Sequence, residues 1–498
     1  MGLKDDVDFA RFLSMGAVGA AAVARDLRER FGHQPIELER YSMANKVWQT
    51  KVKRLRIPDL VCVRCGTRIE SRGKSKLEVR LSDSTSENRE WHAGGMRPDD
   101  IFAFVRVDVG AATPVVGIPA YFTHASLQAA IDYAKKGIRK AASEGSELDI
   151  SWPTWVPTRD GEFVEVRNKE IFYLPLVGGV KKYWQSRNWP QVHAYLARGE
   201  AFRAGDSIVA GVMPPSTIVR CQTSWDLARD LDSADGSDRY AAIKAAGALQ
   251  VRELRERLMA IAYGDDDWRI RLEALVSLAR IDPGAWVEEI VSFPAAVSGD
   301  ETVQMESVLA LSEIPTITAA DALVEAAESR DGRPDEVRAA AVWGLGTGTQ
   351  ADPSRLVRFT TDSTDVVAVH AAAALRALPD DVLTTLYRML HSEDERAAAV
   401  AAQVLARHRQ IDLLIEASCE VGPARLWAVR ALGDIPPDVV MAAARDLPTS
   451  LRESLEPIWI QHRDWLRVEA LGPLDALYAQ QVRYDPITAT QDAPGAGL

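Results

Sequence analysis

Apolar and polar positions alternate in different ways along this chain, and each way predicts a different kind of element. Residues 15–24 form a small-residue apolar run preceded by Lys4, Asp5, Asp6 and Asp8. The run is too short to span a bilayer, and its acidic lead is unlike that of a signal peptide, so it predicts part of an N-terminal helix. Pro58 and Asp59 open a short apolar strand, Cys62 to Gly66 make a knuckle-like turn, and residues 68–81 read as a second strand. Along it Glu70, Arg72, Lys74, Lys76, Glu78 and Arg80 share one parity. Ile69, Ser71, Gly73, Ser75, Leu77, Val79 and Leu81 share the other, so one face is charged and the opposite one meets the core. Residues 101–107 and 114–118 read as further strands, and 126–142 as a helix carrying Lys135, Lys136, Arg139 and Lys140. Together they complete a mixed α/β sheet.

Residues 145–225 read as strands and turns punctuated by Gly161, Gly178, Gly179 and Gly205. They are dense in large aromatics: Trp152, Trp155, Phe163, Phe172, Tyr173, Tyr183, Trp184 and Trp189. Such rings either anchor a small β core or stack on exposed bases. The stretch 194–211 reads as a compact barrel hairpin. From about Asp238 small residues recur at helical spacing, and the segments align at Ala246, Leu278, Leu311, Leu345, Leu378, Leu405 and Leu432. The intervals are 32, 33, 34, 33, 27 and 27 residues. Each helix pair leaves an apolar face that only the next pair can cover, which predicts a solenoid. Residues 484–498 lack periodicity and are expected to be a disordered tail. The expected domains are 1–145, α/β; 146–228, β-rich; 229–450, helical repeats; and 451–498, a cap helix and tail.

At 498 residues and 47% hydrophobic content, several cores can be buried, and no apolar run reaches transmembrane length. Four cysteines, at 62, 65, 221 and 419, are too few for a disulfide framework, so a reducing cytoplasm is expected. The net charge of −12 is unevenly distributed. Residues 1–230 carry 34 Lys and Arg against 28 Asp and Glu, and the remainder 25 against 43. Residues 51–80 alone hold ten basic side chains against three acidic ones. Either a phosphate backbone or plain water suits that strip.

The Asp59, Cys-x-x-Cys, Glu70 series resembles the PD-(D/E)XK nucleases. Within them it is closest to Dam-replacing, methyl-directed type II restriction endonucleases, with a zinc-binding Cys pair between the metal-binding Asp and the Glu-x-Lys. The resemblance covers about residues 35–110 and implies a restriction-endonuclease-like α/β module. It also implies Mg²⁺ held by Asp59 and Glu70, and half of a Zn²⁺ site at Cys62 and Cys65. The chain departs from the pattern at Arg72, which stands where the lysine is expected and cannot act as a base. Lys74 lies one step further on the same face, about 7 Å along. Glu37 or Glu39 would serve as the further upstream carboxylate. His33, His92, His124 and Cys221 are the available additional zinc donors, and His92 reads equally as a water-positioning or plain loop residue. The units from 230 to 450 resemble short, Ala-rich HEAT repeats, with an acidic turn before an arginine in Asp235–Arg239, Asp265–Arg269 and Glu393–Arg396.

No phosphate-binding G-x-x-x-x-G-K-[ST], H-E-x-x-H or G-x-S-x-G occurs, so ATPase, zinc-protease and α/β-hydrolase chemistry have no residues to stand on. The expected function is a Mg²⁺-dependent DNA endonuclease fused to a HEAT solenoid, in bacterial defence or genome maintenance. Asp59, Glu70, Lys74 and Arg72 would form its site, and Lys51, Lys53, Arg54, Arg56, Lys76 and Arg80 would hold nucleic acid. The acidic solenoid would hold a protein partner, and no membrane is involved. The alternative is a non-catalytic scaffold with a decayed nuclease fold.

Overall fold

The computed structural model describes residues 7–38, 57–84, 96–108, 115–141, 145–185, 188–221, 224–329, 332–433, 435, 437–443, 445 and 449. Lys51, Lys53, Arg54, Arg56, Glu39, His92 and the expected cap helix and tail lie outside these residues. The chain divides into two compact units, one built chiefly from residues 12–43 and 53–257, the other from 258–481. The first is α/β and the second all-helical.

In the first unit, helix α1 (Val7–Phe31) is followed by strands β1 (Pro35–Glu37), β2 (Leu60–Cys62) and β3 (Arg68–Lys74), which form an antiparallel meander. Strand β4 (Val79–Ser84) leaves this sheet, and β5 (Ile101–Asp108) returns to it, parallel to β3 from Ile69↔Ile101 to Lys74↔Arg106. The far edge of β5 pairs with β6 (Val115–Val116) and β7 (Ala120–Thr123). The predicted single strand 68–81 is therefore two strands in different sheets. Alternation of charge continues through the Ser75–Lys76 bend, so period alone could not mark the break.

The predicted helix 126–142 is also corrected. A short helix, α2 (His124–Ala129), and one 3₁₀ turn are followed by strand β8 (Lys135–Ala141), antiparallel to β9 (Gly145–Trp152), which pairs in turn with β4. Its Ala, Lys and Arg favour helix, but pairing of its full length with β9 overrides that weak preference.

Residues of β3 alternate between two environments, as their parity predicts. Ile69 packs with Met15, Val23, Ala24 and Leu27 of α1, beside Leu60, Ile101, Ala103 and Val105. Gly73 lies against the α1 backbone: a Cβ built on Gly19 would be 3.1 Å from the Gly73 Cα. On the opposite side of β5, Phe102, Phe104 and Phe122 join Val79, Leu81, Ile150 and Trp152 in a second core. Helix α1 ends at Gly32, whose φ of +69° suits glycine, with Gly32 N–H donating to Arg28 and His33 N–H to Leu27.

Two small sheets follow, β10 (Thr154–Trp155) with β16 (Ala210–Gly211) and β14 (His193–Ala194), and β11 (Gly161–Arg167) with β12 (Glu170–Pro175), β13 (Lys182–Gln185) and β15 (Ala201–Phe202). Trp155, Phe163, Ile171 and Phe202 form their core, with Tyr173, Trp184 and Trp189 packed on it. The aromatic anchors are thus mostly core; Tyr183, on the other face, is 61% exposed.

Helices α3 (Leu227–Leu231) and α4 (Gly236–Ala248) close the first unit, and α5 (Arg255–Gly264) runs across the boundary in sequence. In the second unit α6 (Trp268–Ile281), α8 (Glu301–Leu311), α10 (Asp335–Thr347), α12 (Asp365–Ala374), α14 (Glu395–Arg407) and α16 (Pro423–Leu432) each touch the next of the series. Between them lie α7 (Val287–Val297), α9 (Ile317–Glu328), α11 (Pro353–Leu356), α13 (Asp380–Leu390) and α15 (Ile411–Cys419), and α17 (Pro437–Ala443) follows.

The acidic turns are N-caps: Asp267, Asp300 and Asp394 each accept an N–H from the helix they precede. A cap of this kind is worth about 1 kcal/mol. Of the arginines that end these turns, Arg269 pairs with its own cap Asp267 and Arg396 Nη1 donates to the Ser363 carbonyl of the preceding repeat. Other arginines tie neighbouring helices, Arg271 Nε donating to the Ala262 carbonyl and Arg338 Nε to that of Ala327. One alignment point moves. Helix α12 ends before Leu375, which is fully buried, whereas Leu378 lies in the following coil, where Pro379 disfavours helix.

Candidate metal centre and carboxylate pair

Four side chains from three separate segments converge in the first unit. The α1 C-terminal turn delivers His33, the end of β2 and the turn after it deliver Cys62 and Cys65, and a distant segment delivers Cys221; their ligand atoms all lie within 4.8 Å of one another. Cys62 Sγ is 3.8 Å from Cys221 Sγ, and Cys65 Sγ is 3.4 Å from His33 Nδ1. A tetrahedral zinc ion with ordinary Zn–S and Zn–N bonds separates two sulfurs by about 3.8 Å and a sulfur from a nitrogen by about 3.5 Å. The donors therefore fit such an ion.

The surrounding bonds suit it too. His33 Nε2 lies 3.1 Å from the Val219 carbonyl, which orients Nδ1 toward the sulfurs, as ligand histidines require. Gln34 N–H donates to Cys62 Sγ at 3.2 Å, and Thr67 Oγ1 lies 3.1 Å from Cys65 Sγ. Hydrogen bonding with Cys62, His33 and Thr67 lowers the pKa of the Cys65 thiol, the direction that favours a metal ligand. Its hydrogen bond to Cys65 and burial push Cys62 upward. Of the other donors weighed, His124 lies elsewhere, its Nδ1 3.3 Å from the Arg97 carbonyl.

Asp59 stands immediately before β2 and Glu70 on β3. Leu60 pairs with Ile69 and Val61 with Arg68, and the same register continued by one residue sets Asp59 opposite Glu70. Directly opposed residues of an antiparallel pair share a face. Asp59 Oδ2 accepts the Ser71 N–H at 2.7 Å. Glu37 does not join them. It pairs with Leu60, on the face that meets α1. The next position on the charged face is Arg72, whose guanidinium lies 2.5 Å from Glu70 and is 44% exposed. The charges of Glu70 and then Asp59 hold it protonated.

Lys74 follows on that face. Burial and then Arg72 lower its pKa to about 8, while Glu78 and Asp149 oppose the shift and Arg80 adds to it. Asp149 of β9 is a neighbour that sequence alone did not offer, since its strand stood outside the expected module. Arg80 is not a free phosphate ligand: it pairs with Glu78 at 3.4 Å and with Asp149 at 2.5 Å. Lys76 is exposed in the β3–β4 bend.

No protein-family profile matches the chain, and no curated protein does. Among solved structures the chain is similar to human deoxyhypusine hydroxylase in complex with glycerol, at 16% identity, 44% coverage of this chain, 99% of that one and a TM-score of 0.22. It is similar also to the CpcE and CpcF complex of phycocyanin lyase from Nostoc sp. PCC7120, at 20% identity, 46% and 93% coverage and a TM-score of 0.24. An engineered protein matches at 18% identity, 51% and 76% coverage and a TM-score of 0.25.

Proposed function

We propose that this chain is a metal-dependent DNA endonuclease of the PD-(D/E)XK type, stapled by zinc and joined to a HEAT-like scaffold that holds a partner protein. The observation that supports this reading is the β2–β3 register, Leu60↔Ile69 and Val61↔Arg68, which continued by one residue would bring Asp59 beside Glu70 with Lys74 further along the same face. Asp59 and Glu70 would hold Mg²⁺, which, when bound, polarises a phosphodiester and acidifies water. Lys74, poised near pH 8, can hold or accept a proton under physiological conditions. Arg72 offsets charge without exchanging protons. His33, Cys62, Cys65 and Cys221 would hold Zn²⁺ with no ligand position open, as structural sites do. Free thiolates of this kind suit a reducing compartment such as the cytoplasm, and no helix among the described residues is long and apolar enough to cross a membrane.

The test is Mg²⁺- or Mn²⁺-dependent cleavage of methylated and unmethylated plasmid by the full chain, and its loss in Asp59→Ala and Glu70→Ala. Cleavage that survives both substitutions would overturn the assignment.

One observation favours a second reading, in which the module binds without cutting. The Arg72–Glu70 ion pair fills with a guanidinium the charge balance that a metal would otherwise supply. A wild-type protein inert toward every DNA substrate, yet retaining salt-sensitive DNA binding, would establish that reading instead.

A further inference from the structure

The metal cluster is joined to the base of β3 by a continuous series of polar and packing contacts. Cys221 N–H donates to the Phe31 carbonyl at the end of α1, and Trp225 N–H to that of Arg64 inside the Cys-x-x-Cys turn, at 2.9 and 2.7 Å. The Trp225 ring lies on Gly66: a Cβ there would sit 3.0 Å from the indole, and its φ of +74° independently favours glycine. The indole Nε1 donates to Asp230 Oδ2 at 2.8 Å. Arg97 then bridges Asp230 and Asp238, at 3.6 and 2.7 Å. Asp238 meets Arg68 Nη1 at 2.8 Å, and Arg68 Nε donates to Asp100 at 2.9 Å. The Arg68 side chain is 1% exposed and that of Asp100 2%. Arg68 precedes Glu70 by two positions on the same face of β3.

A buried arginine of this kind is held only while its carboxylates stay in place, because an uncompensated interior charge is strongly unfavourable. Two contributors to that balance, Asp230 and Asp238, come from the segment that Cys221 and Trp225 fasten to the metal turn. We propose that Trp225 and Asp230 are positioning residues through which metal at His33, Cys62, Cys65 and Cys221 controls the order of β3 around Arg68 and Glu70. The inference rests on the zinc part of the reading above and is independent of whether the carboxylate pair cuts DNA.

The test uses the full chain, metal-loaded with one equivalent of Zn²⁺ or stripped with a chelator, followed by metal analysis and amide hydrogen exchange. Loading is expected to slow exchange at least tenfold in both residues 224–235 and 68–71. In Trp225→Leu, zinc still binds at one per chain while the response at 68–71 is lost; Trp225→Phe, which keeps the ring but not the Nε1 donor, falls between. Should Trp225→Leu fail to fold, the wild-type comparison and Asp230→Asn still decide. Zinc bound stoichiometrically with unchanged exchange at 68–71 overturns this inference alone. An undiminished response in Trp225→Leu does the same, whereas failure to bind zinc at all overturns the metal site as well.

Discussion

Gly73 of β3 is in backbone contact with Met15 of α1: a Cβ at Gly73 would overlap the Met15 carbonyl oxygen. The strand that carries Glu70 and Lys74 is thus seated directly on the main chain of the helix. Gly73→Ala must push the two apart, and overpacking of this sort costs about 1–3 kcal/mol. The expected outcome is a lower unfolding midpoint for the α/β unit and weaker metal-dependent cleavage, measured by denaturant unfolding and nuclease assay. Ser71→Ala, at a buried site beside Ile69, should cost less.

Lys74 and Arg72 make separable predictions. Lys74→Ala should abolish cleavage, while Arg72→Lys retains or raises it by restoring a lysine two positions after Glu70. Wild-type inertness that Arg72→Lys leaves unchanged would fit the non-cutting reading.

The pH profile follows from the same lysine. Its folded pKa, about 8, lies below the unfolded value, so its neutral form is the one the fold favours. The unfolded state binds the extra proton between pH 8 and the ordinary lysine range, and stability therefore rises with pH across that window. Below pH 8 the full penalty is present. Cleavage that uses Lys74 as the base should rise with pH and level off above about 8. Arg72, Glu78, Arg80 and Asp149 all face this lysine, so Asp149→Asn should move the inflection downward by removing a stabilising charge. A profile flat from pH 6 to 9 would exclude Lys74 from proton transfer.

The four clustered donors predict metal stoichiometry. Elemental analysis should find one zinc per chain, and His33→Ala or Cys65→Ser should lower the affinity enough for a moderate chelator to strip it. Because the donors must lose protons to bind, retention should weaken as pH falls.

In the helical unit, His370 is fully buried, its Nδ1 donating to the Val366 carbonyl at 2.6 Å with Trp343 edge-on to its ring. Burial lowers its pKa to about 4. The unfolded state takes up the proton first, so stability present near neutrality is lost as pH falls from about 6.5 to 4, by up to ~3 kcal/mol. His370→Phe should flatten that acid slope in thermal unfolding. It should not remove it, because His408 is shifted in the same direction.

Parity along β3 was legible because a half-buried strand must alternate, and Glu70, Arg72 and Lys74 do share the face opposite Ile69. The end of β3 was not, since charged alternation runs straight through the bend into Glu78 and Arg80. Helical repeats were legible from the small residues of their inner helices, yet Leu378 was misaligned because the helix already closes at Leu375, three residues earlier. Cys62 and Cys65 announce a site by their spacing. His33 and Cys221 do so only in the fold, as nothing local to either distinguishes a ligand from any buried or half-buried side chain.

Cys62 and Cys221 are 159 positions apart. On a ribosome adding about 5–20 residues each second, roughly 8 to 30 s separate their synthesis. During that interval β1 to β3 can pair, but the fourth donor does not yet exist. The early chain would offer metal only an open, three-donor set that water or a competing thiol could enter. Completion of the site would thus report that the chain has been made through the last strand of the first unit, before the two helices that close it, and a nascent chain stalled before Cys221 would be marked by labile metal.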